Sequence, residues 1–420
     1  MPHEIFPNTG IRPMRVCMLA YTFYESDTRI LQYTAALREQ GHIVDVIALK
    51  RDASLPLFEP LNGVNVHRIQ VRNVDERGLF SYAFRVVRFC FHAASYLRKM
   101  HSEHAYDLVH IHNVPDFLVF SALPLKMDRV PVILDIHDLL PELYASKFKA
   151  SRTGMLFKLL VLVERMSASL ANHVIVANDI WCRRLAQRSA NNEKCSVVRN
   201  RPDMKIFVAQ RLRQRSVSGK FTMMYPGSLS DHQGLDVAVR AFAEIAKELA
   251  DCEFHIYGEG SAKKSLIELT ASFGLSNQIF FHNPLPSCEI AKIMASCDLA
   301  IEPKRTTSAF GNEALSTKIM EFMALGVPVI ACRTKIHTHY YDDSLIEYYS
   351  NDDHVELAQC MLRLRRDAER RAELVQNALQ YVEVNTWDAK KYQYLDLVDK
   401  LCGSTELDYN VTVGDQCQNM

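Results

Sequence analysis

The sequence predicts an α/β protein made of two doubly wound halves that face a cleft. Two observations carry this expectation. From Arg15 to Ala177, short apolar runs alternate with helical patterns, as a parallel sheet with crossover helices requires. A turn-rich stretch, Arg199-Asn-Arg-Pro-Asp203, then interrupts the alternation, which restarts at Phe221. The length, 420 residues of which 48% are hydrophobic, suits two or three domains with ample core.

Each element follows from local pattern. Arg15–Ala20 reads as a strand, Arg29–Gln40 as a helix stopped by Gly41, and Ile43–Leu49 and Val64–Gln70 as strands. Leu79–His101 reads as a long helix, and Asp107–His112, Val132–Ile136 and His173–Ala177 as further strands. After the break, strands are expected at Phe221–Tyr225, Glu253–Tyr257, Gln278–Phe281, Leu299–Ile301 and Val327–Ala331. Helices are expected at Leu235–Leu249 and Ser261–Phe273, and a last one from Thr386 to Leu401. Two Rossmann-like domains result, residues 1–203 and 204–384. Residues 403–420 are polar with little pattern, and a frayed tail is expected. In open α/β sheets ligands bind beyond the carboxyl ends of the strands, so the loops there are the candidate sites.

Composition excludes several classes. The 49 basic and 49 acidic residues cancel, which argues against a dedicated nucleic-acid binder. Eleven scattered cysteines without a Cys-x-x-Cys fit reduced thiols in a cytoplasmic protein better than disulfides or zinc. The N-terminal segment has no basic-then-apolar signal pattern. The longest apolar segments are broken by Arg85, Arg88, Lys158 and Glu164, so no bilayer-spanning helix is expected.

The most informative run is GNEALSTKIMEFMALGVPVIAC, residues 311–332. It places Glu313 in a loop, starts a helix near Ser316–Lys318, and sets Glu321 one turn in. Gly326 ends the helix. A helix N-terminus with unpaired N–H groups suits phosphate, and a nearby carboxylate can accept hydrogen bonds from sugar hydroxyls. Together these describe a sugar nucleotide. The plainer alternative is that Ser316 or Thr317 caps the helix and Glu321 pairs with a basic residue.

Two glutamates with seven residues between them, followed by a small-residue turn and GVPVI, resemble the signature of retaining family 4 glycosyltransferases with the GT-B fold. The likeness extends from about Met14 to Leu401 through VHIHNVPDFLVF (109–120), ILDIHDLLPELYASKF (133–148), NRPD (200–203), YPGSLSDHQGLDVAVRAF (225–242), IYGEG (256–260) and PKRTTSAFGNEALSTKIMEFMALGVPVIA (303–331). The resemblance implies transfer of a sugar from a nucleotide-sugar donor to a glycan or lipid-linked glycan. It implies retention at the anomeric carbon and no metal or other cofactor; no Asp-x-Asp motif lies in a suitable loop. It implies that Glu321 accepts from the ribose, that Glu313 meets donor-sugar hydroxyls, and that N–H groups near Ser316 and Thr317 cradle the diphosphate. Gly258 and Gly260 would line the nucleotide cleft where a side chain would obstruct the ligand; the alternative is a plain strand-to-helix turn. His137 would contact the sugar across the cleft, with Asp138 and Glu142 beside it, while His110 and His112 are expected to be structural or acceptor-facing. The last helix, about 385–402, is assigned to the first domain.

The chain departs from the family pattern where an Arg and a Lys commonly hold the diphosphate. Ser228 stands at the first position and Gln233 at the second. Lys318, with Arg305, is the proposed substitute; the alternative is solvated charge. Lys304 also precedes the Glu313 loop. The first loop lacks a Gly-Gly pair. Asp27 and Arg29 there either shape the acceptor side or, for Asp27, cap the helix. Two segments, Leu79–Met100 with Phe80 and Lys147–Met166 with Lys149, mix basic and apolar residues, as a peripheral membrane contact or a core helix with a solvated face both allow. Two other classes remain open to this sequence: a catalytically silent GT-B protein that binds nucleotide or glycan, and a Rossmann-type oxidoreductase, which the absent Gly-x-Gly-x-x-Gly after the first strand disfavours.

Overall fold

A computed structural model describes residues 12–72, 79–148, 151–208, 219–248, 250–350 and 352–403, with the side chains of 79–82 outside the description. The expected tail, Lys149, the Phe80 side chain and the helix end at Leu249 fall outside these residues.

The first sheet has eight strands: β1 (Arg15–Ala20), β2 (Ile43–Lys50), β3 (Phe58–Leu61), β4 (Val64–Val71), β5 (Leu108–His112), β6 (Val132–Ile136), β7 (His173–Val176) and β8 (Cys195–Val197). Their order is β3-β4-β2-β1-β5-β6-β7-β8, parallel throughout except for β3 against β4. The helices are α1 (Thr28–Glu39), α2 (Leu79–Glu103), α3 (Leu123–Met127), α4 (Leu140–Lys147), α5 (Met155–Leu170) and α6 (Asp179–Arg188). One side of the sheet packs on α2 and α5, with Phe89, Leu97 and Ala168 in the core. The other packs on α1, through Ile30 and Tyr33. The fully buried strands, such as Leu108–His112, are those of a sheet covered on both faces.

The second sheet has six parallel strands in the order β11-β10-β9-β12-β13-β14. These are β9 (Phe221–Pro226), β10 (Cys252–Tyr257), β11 (Ile279–His282), β12 (Leu299–Glu302), β13 (Val329–Cys332) and β14 (Glu347–Tyr349). Its helices are α7 (Leu235–Ile245), α8 (Lys263–Ser272), α9 (Ser287–Ser296), α10 (Thr317–Ala324), α11 (Lys335–Tyr340), α12 (His354–Arg366) and α13 (Ala368–Glu383). Gly326, at φ 71°, ends α10 before Pro328 and β13.

The final stretch is two helices, α14 (Trp387–Lys390) and α15 (Tyr392–Cys402), rather than one. Trp387, Tyr394 and Val398 join the first sheet's core beside Tyr33. The chain therefore crosses between the two sheets twice. The crossings are tied together: Arg199 donates to the Asn385 side chain at 2.7 Å and to Tyr381 at 3.1 Å, and Arg201 donates to the Asn385 carbonyl at 2.9 Å.

Three strands escaped the sequence reading: β3, β8 and β14. β3 and β4 form a hairpin through Asn62 and Gly63, whose φ values of 49° and 74° are those of a tight hairpin turn. β8, three half-buried residues at the sheet edge, is too short to carry a pattern.

Candidate active site

The strand order reverses between β9 and β12, and the candidate nucleotide site lies at the carboxyl ends of these two strands. The loop after β9 runs against the loop after β10: Gly227 N–H donates to Tyr257 O at 2.8 Å and Leu229 N–H to Glu259 O at 2.9 Å. A Cβ on Gly258 would stand 1.8 Å from the Gly227 carbonyl oxygen, and one on Gly260 would stand 2.3 Å from that of Leu229. The expectation for these glycines is corrected in its reason. They make room for a neighbouring backbone, and Gly258, at φ 152°, also holds a conformation that side chains avoid.

Lys318 leads from the first turn of α10 to the underside of this loop. A Cβ on Gly227 would lie 3.3 Å from its Nζ. The ammonium sits 4.9 Å from the centre of the Tyr225 ring and 3.4 Å from Glu302 Oε2 at the end of β12. Burial works against the charge, but Glu302, Tyr225 and Glu321 together outweigh it and raise the Lys318 pKa. Burial likewise opposes ionisation of Glu302, yet Lys318 and Lys304 hold it below the usual carboxylate range. Lys304 is buried, donates to Ala314 O at 2.6 Å, and is pushed by burial down to about 8. Burial lifts the half-buried Glu321 carboxyl, one turn along α10, up to about 7 against the pull of Lys318. Ser316 is at the N-cap position with its side chain buried beside Glu302, and it makes no cap hydrogen bond to α10. The first N–H groups of α10, including that of Thr317, therefore stay available.

Arg305 is elsewhere. Its guanidinium pairs with Asp236 at 2.5 Å and donates to the Asp231 carbonyl at 2.9 Å, which braces the turn before α7. That commitment corrects its expected partnership with Lys318. Gln233 is buried in the same turn and donates to the exposed Ser228 hydroxyl at 3.3 Å, with His232 Nε2 3.2 Å away. The two positions of the missing cations thus touch each other.

Glu313 is 5% exposed, and its carboxylate is taken up by a protein partner. Its carboxylate pairs with Arg184 of α6 at 2.5 Å, and Asn178 donates to its carbonyl at 3.1 Å. Behind Arg184, Arg188 bridges Glu142 and Glu164, each at 2.6 Å. Glu142 is therefore part of this buried chain of charges and not a neighbour of the His137 ring.

In the first domain, His137 follows β6 and keeps some exposure. Its ring is 3.2 Å from His112 Nδ1 and 3.5 Å from Asp135, and its N–H donates to Asn113 at 2.7 Å. Asn113 also donates to the Asp138 carbonyl at 2.8 Å, and burial raises the Asp138 carboxyl. His110 and His112 are buried, which depresses both imidazoles. Ligand-type atoms of His110, His112 and Asp135 lie within 4.8 Å of one another, but both Asp135 oxygens accept from Arg29 at 2.7 Å. A cation placed there would face the guanidinium. Arg29 also donates to Val198 O and is 7% exposed, so it is a core residue and not an acceptor contact. Asp27 caps α1 by accepting from Ile30 N–H at 3.2 Å. It also lines a cavity of about 240 Å³ with Tyr21, Arg72, His112 and Asn113, so it does face the first domain's strand ends.

A larger cleft of about 470 Å³ opens between the two halves, lined by Ser146, Arg152, Asp231, His232, Arg305 and Ser308. The Ser146 and Ser308 hydroxyls meet across it at 3.0 Å. Sequence reasoning missed Glu302, Arg184 and Tyr225. Only Glu302 left a signal, a carboxylate closing the apolar run Leu299–Glu302.

Residues 26–201 match the family described as glycosyl transferase 4-like domain, and residues 209–381 match glycosyl transferases group 1. A putative colanic acid biosynthesis glycosyltransferase of Salmonella typhimurium is 25% identical over 154 residues, 37% of this chain and 37% of that protein. Sucrose-phosphate synthase from Thermosynechococcus elongatus superposes over 93% of this chain and 100% of its own, with TM-score 0.76 and 17% identity. Anabaena HepE in complex with UDP-glucose superposes over 93% and 100%, with TM-score 0.66 and 16% identity. The two family matches follow one another along the chain, a glycosyl transferase 4-like match and then a group 1 match, and the fold is the GT-B fold of these solved structures.

Proposed function

We propose that the chain is a retaining, metal-independent hexosyltransferase that moves a sugar from a nucleotide-sugar donor onto a glycan or lipid-linked glycan. The first domain takes the acceptor and the second takes the donor. The observation that carries this reading is Lys318, a charged ammonium on the first turn of α10 held against Gly227, with Glu321 one turn further on. That arrangement offers a cation and free N–H groups to a diphosphate and a carboxylate to ribose hydroxyls. It does so where Ser228 and Gln233 offer no charge. The UDP-glucose bound by Anabaena HepE supports a nucleotide-sugar donor, and the relative named for colanic acid biosynthesis supports a role in making a cell-surface polysaccharide.

In the proposed reaction the bond from the anomeric carbon to the diphosphate breaks and a bond to the acceptor hydroxyl forms on the same face. The acceptor's proton passes to the departing phosphate oxygen, so no protein base is needed. Lys318 and the α10 N–H groups stabilise the charge that develops on the diphosphate. His137 and Glu313 contact the donor sugar once Glu313 exchanges Arg184 for a sugar hydroxyl.

The test is binding and slow hydrolysis across UDP-, GDP- and ADP-sugars. Lys318→Ala should lower turnover at least 100-fold; it also strands the buried Glu302 and lowers the thermal transition, so turnover is read at a temperature where the variant is folded. Near-normal turnover would remove Lys318 from the mechanism, and no binding of any donor by folded wild type would favour a silent glycan-binding protein.

A further inference from the structure

We propose that the outer face of α5, with the outer face of α2 beside it, rests on an anionic lipid bilayer. α5 is inside out. Its buried side holds Glu164, Ser167 and Ala168, while Met155, Leu159, Leu162 and Met166 are exposed. Their spacing of four, three and four residues puts all four on one stripe, and Met155 is 88% exposed. On α2, Phe84 and Phe91 are 70% and 73% exposed and lie two turns apart, whereas Phe89, Ala93 and Leu97 face the core. Both helices cover the same side of the first sheet and pack on the short segment Asp116–Ala122. Apolar surface of this size is normally covered.

Charge selects the cover. The chain as a whole balances 49 cations against 49 anions. α2 and α5, in contrast, carry Arg85, Arg88, Arg98, Lys99, Lys158 and Arg165 against Glu103 and Glu164 alone, and Glu164 is buried on Arg188. A groove of about 430 Å³ beside the stripe is lined by Arg152, Phe157, Lys158, Leu162, Arg165 and Arg188. Cations flanking exposed Met, Leu and Phe suit acyl chains under anionic headgroups. A second copy of this chain, related by a two-fold axis, would press the same cations together. No described helix is long and apolar enough to cross a membrane, so α5 would lie on the surface. Arg152 also lines the cleft between the domains, so the docked face leads to the proposed acceptor side. Docking itself does not depend on the proposed reaction; only that last link does.

The test is co-sedimentation of the full chain with vesicles of neutral phosphatidylcholine, alone or with 30 mole per cent phosphatidylglycerol, about the anionic content at which basic segments are drawn to a surface. Wild type should bind the anionic vesicles at least tenfold more tightly, less so at high salt. Arg88→Glu with Lys158→Glu should weaken this binding roughly 25-fold or more, from about fivefold per lost cation. Leu159→Ser with Leu162→Ser should weaken it about tenfold, and these residues are exposed enough to leave the fold intact. Nucleotide binding should stay unchanged in both variants, which separates a failure of docking from a failure of the proposed activity. Equal binding to neutral vesicles, wild-type affinity in both variants, or equal competition by soluble glycerol phosphate would overturn the proposal. So would a wild-type dimer, without vesicles, that the serine variant abolishes.

Discussion

At the residue scale the site is a balance of four buried or half-buried charges, Glu302, Lys304, Lys318 and Glu321. Glu321 and, at higher pH, Lys304 are poised to respond to pH near neutrality. The Glu321 carboxyl, at about 7, is raised above its value in a free chain. The contribution it makes to stability is therefore present at low pH and lost as pH rises through 7. Ribose hydroxyls that donate to the carboxylate favour the ionised form. Affinity for a nucleoside diphosphate should accordingly rise roughly threefold between pH 6.5 and 7.5, as ionisation with a midpoint near 7 dictates, and Glu321→Gln should flatten that rise. Calorimetric titration across this range reads both. The sequence made Glu321 and Lys318 legible because a charge inside Ile319–Leu325 or at a helix start is conspicuous. It hid the pairing of Lys318 with Glu302, because the partner closes strand β12 sixteen positions earlier and only folding brings the two together. Arg29 misled for the same reason: its loop position suggested an exposed role, but Asp135 lies 106 residues away in the chain and directly beneath it.

At the scale of elements, strands with unbroken apolar runs were easy to read and those that rely on pairing were not. β1 and β6 fall where their apolar runs place them. β3 contains Glu59 and Pro60 and becomes a strand only because Asn62-Gly63 folds it onto β4. α5 was legible as a helix, but its inverted burial was not, since periodicity shows that a helix has two faces and not which face turns inward. The contact between the β9 and β10 loops shows how closely elements can meet. Gly258→Ala would set a methyl group against the Gly227 carbonyl and force the two loops apart. It should lower stability by about 3 kcal/mol or more and weaken nucleotide binding in parallel, read by thermal unfolding and by titration. An unchanged melting temperature would show that the loops yield freely.

At the scale of the whole molecule, the halves meet through polar and aromatic contacts that fix their present approach. Arg184 holds Glu313, Tyr340 holds Asp179, and Trp181 packs on Phe310 with ring centres 5.6 Å apart. Arg184→Ala leaves Glu313 without its partner and should shift the molecule toward a more open cleft. Small-angle scattering should then show a larger radius of gyration without donor, and donor affinity should change; identical scattering would mean that the other contacts suffice. The sequence announced two halves through the restart at Phe221, but nothing local in it could show which faces meet.

The tie between Arg199, Arg201 and Asn385 has one more consequence. It brings the start and the finish of the second domain to a single point, so that domain is a closed loop of chain spliced into the first. Seen from the first domain, its own sequence simply resumes at Trp387. A gene lacking the intervening segment would encode one continuous small protein, and a foreign domain with neighbouring ends could take the vacated place.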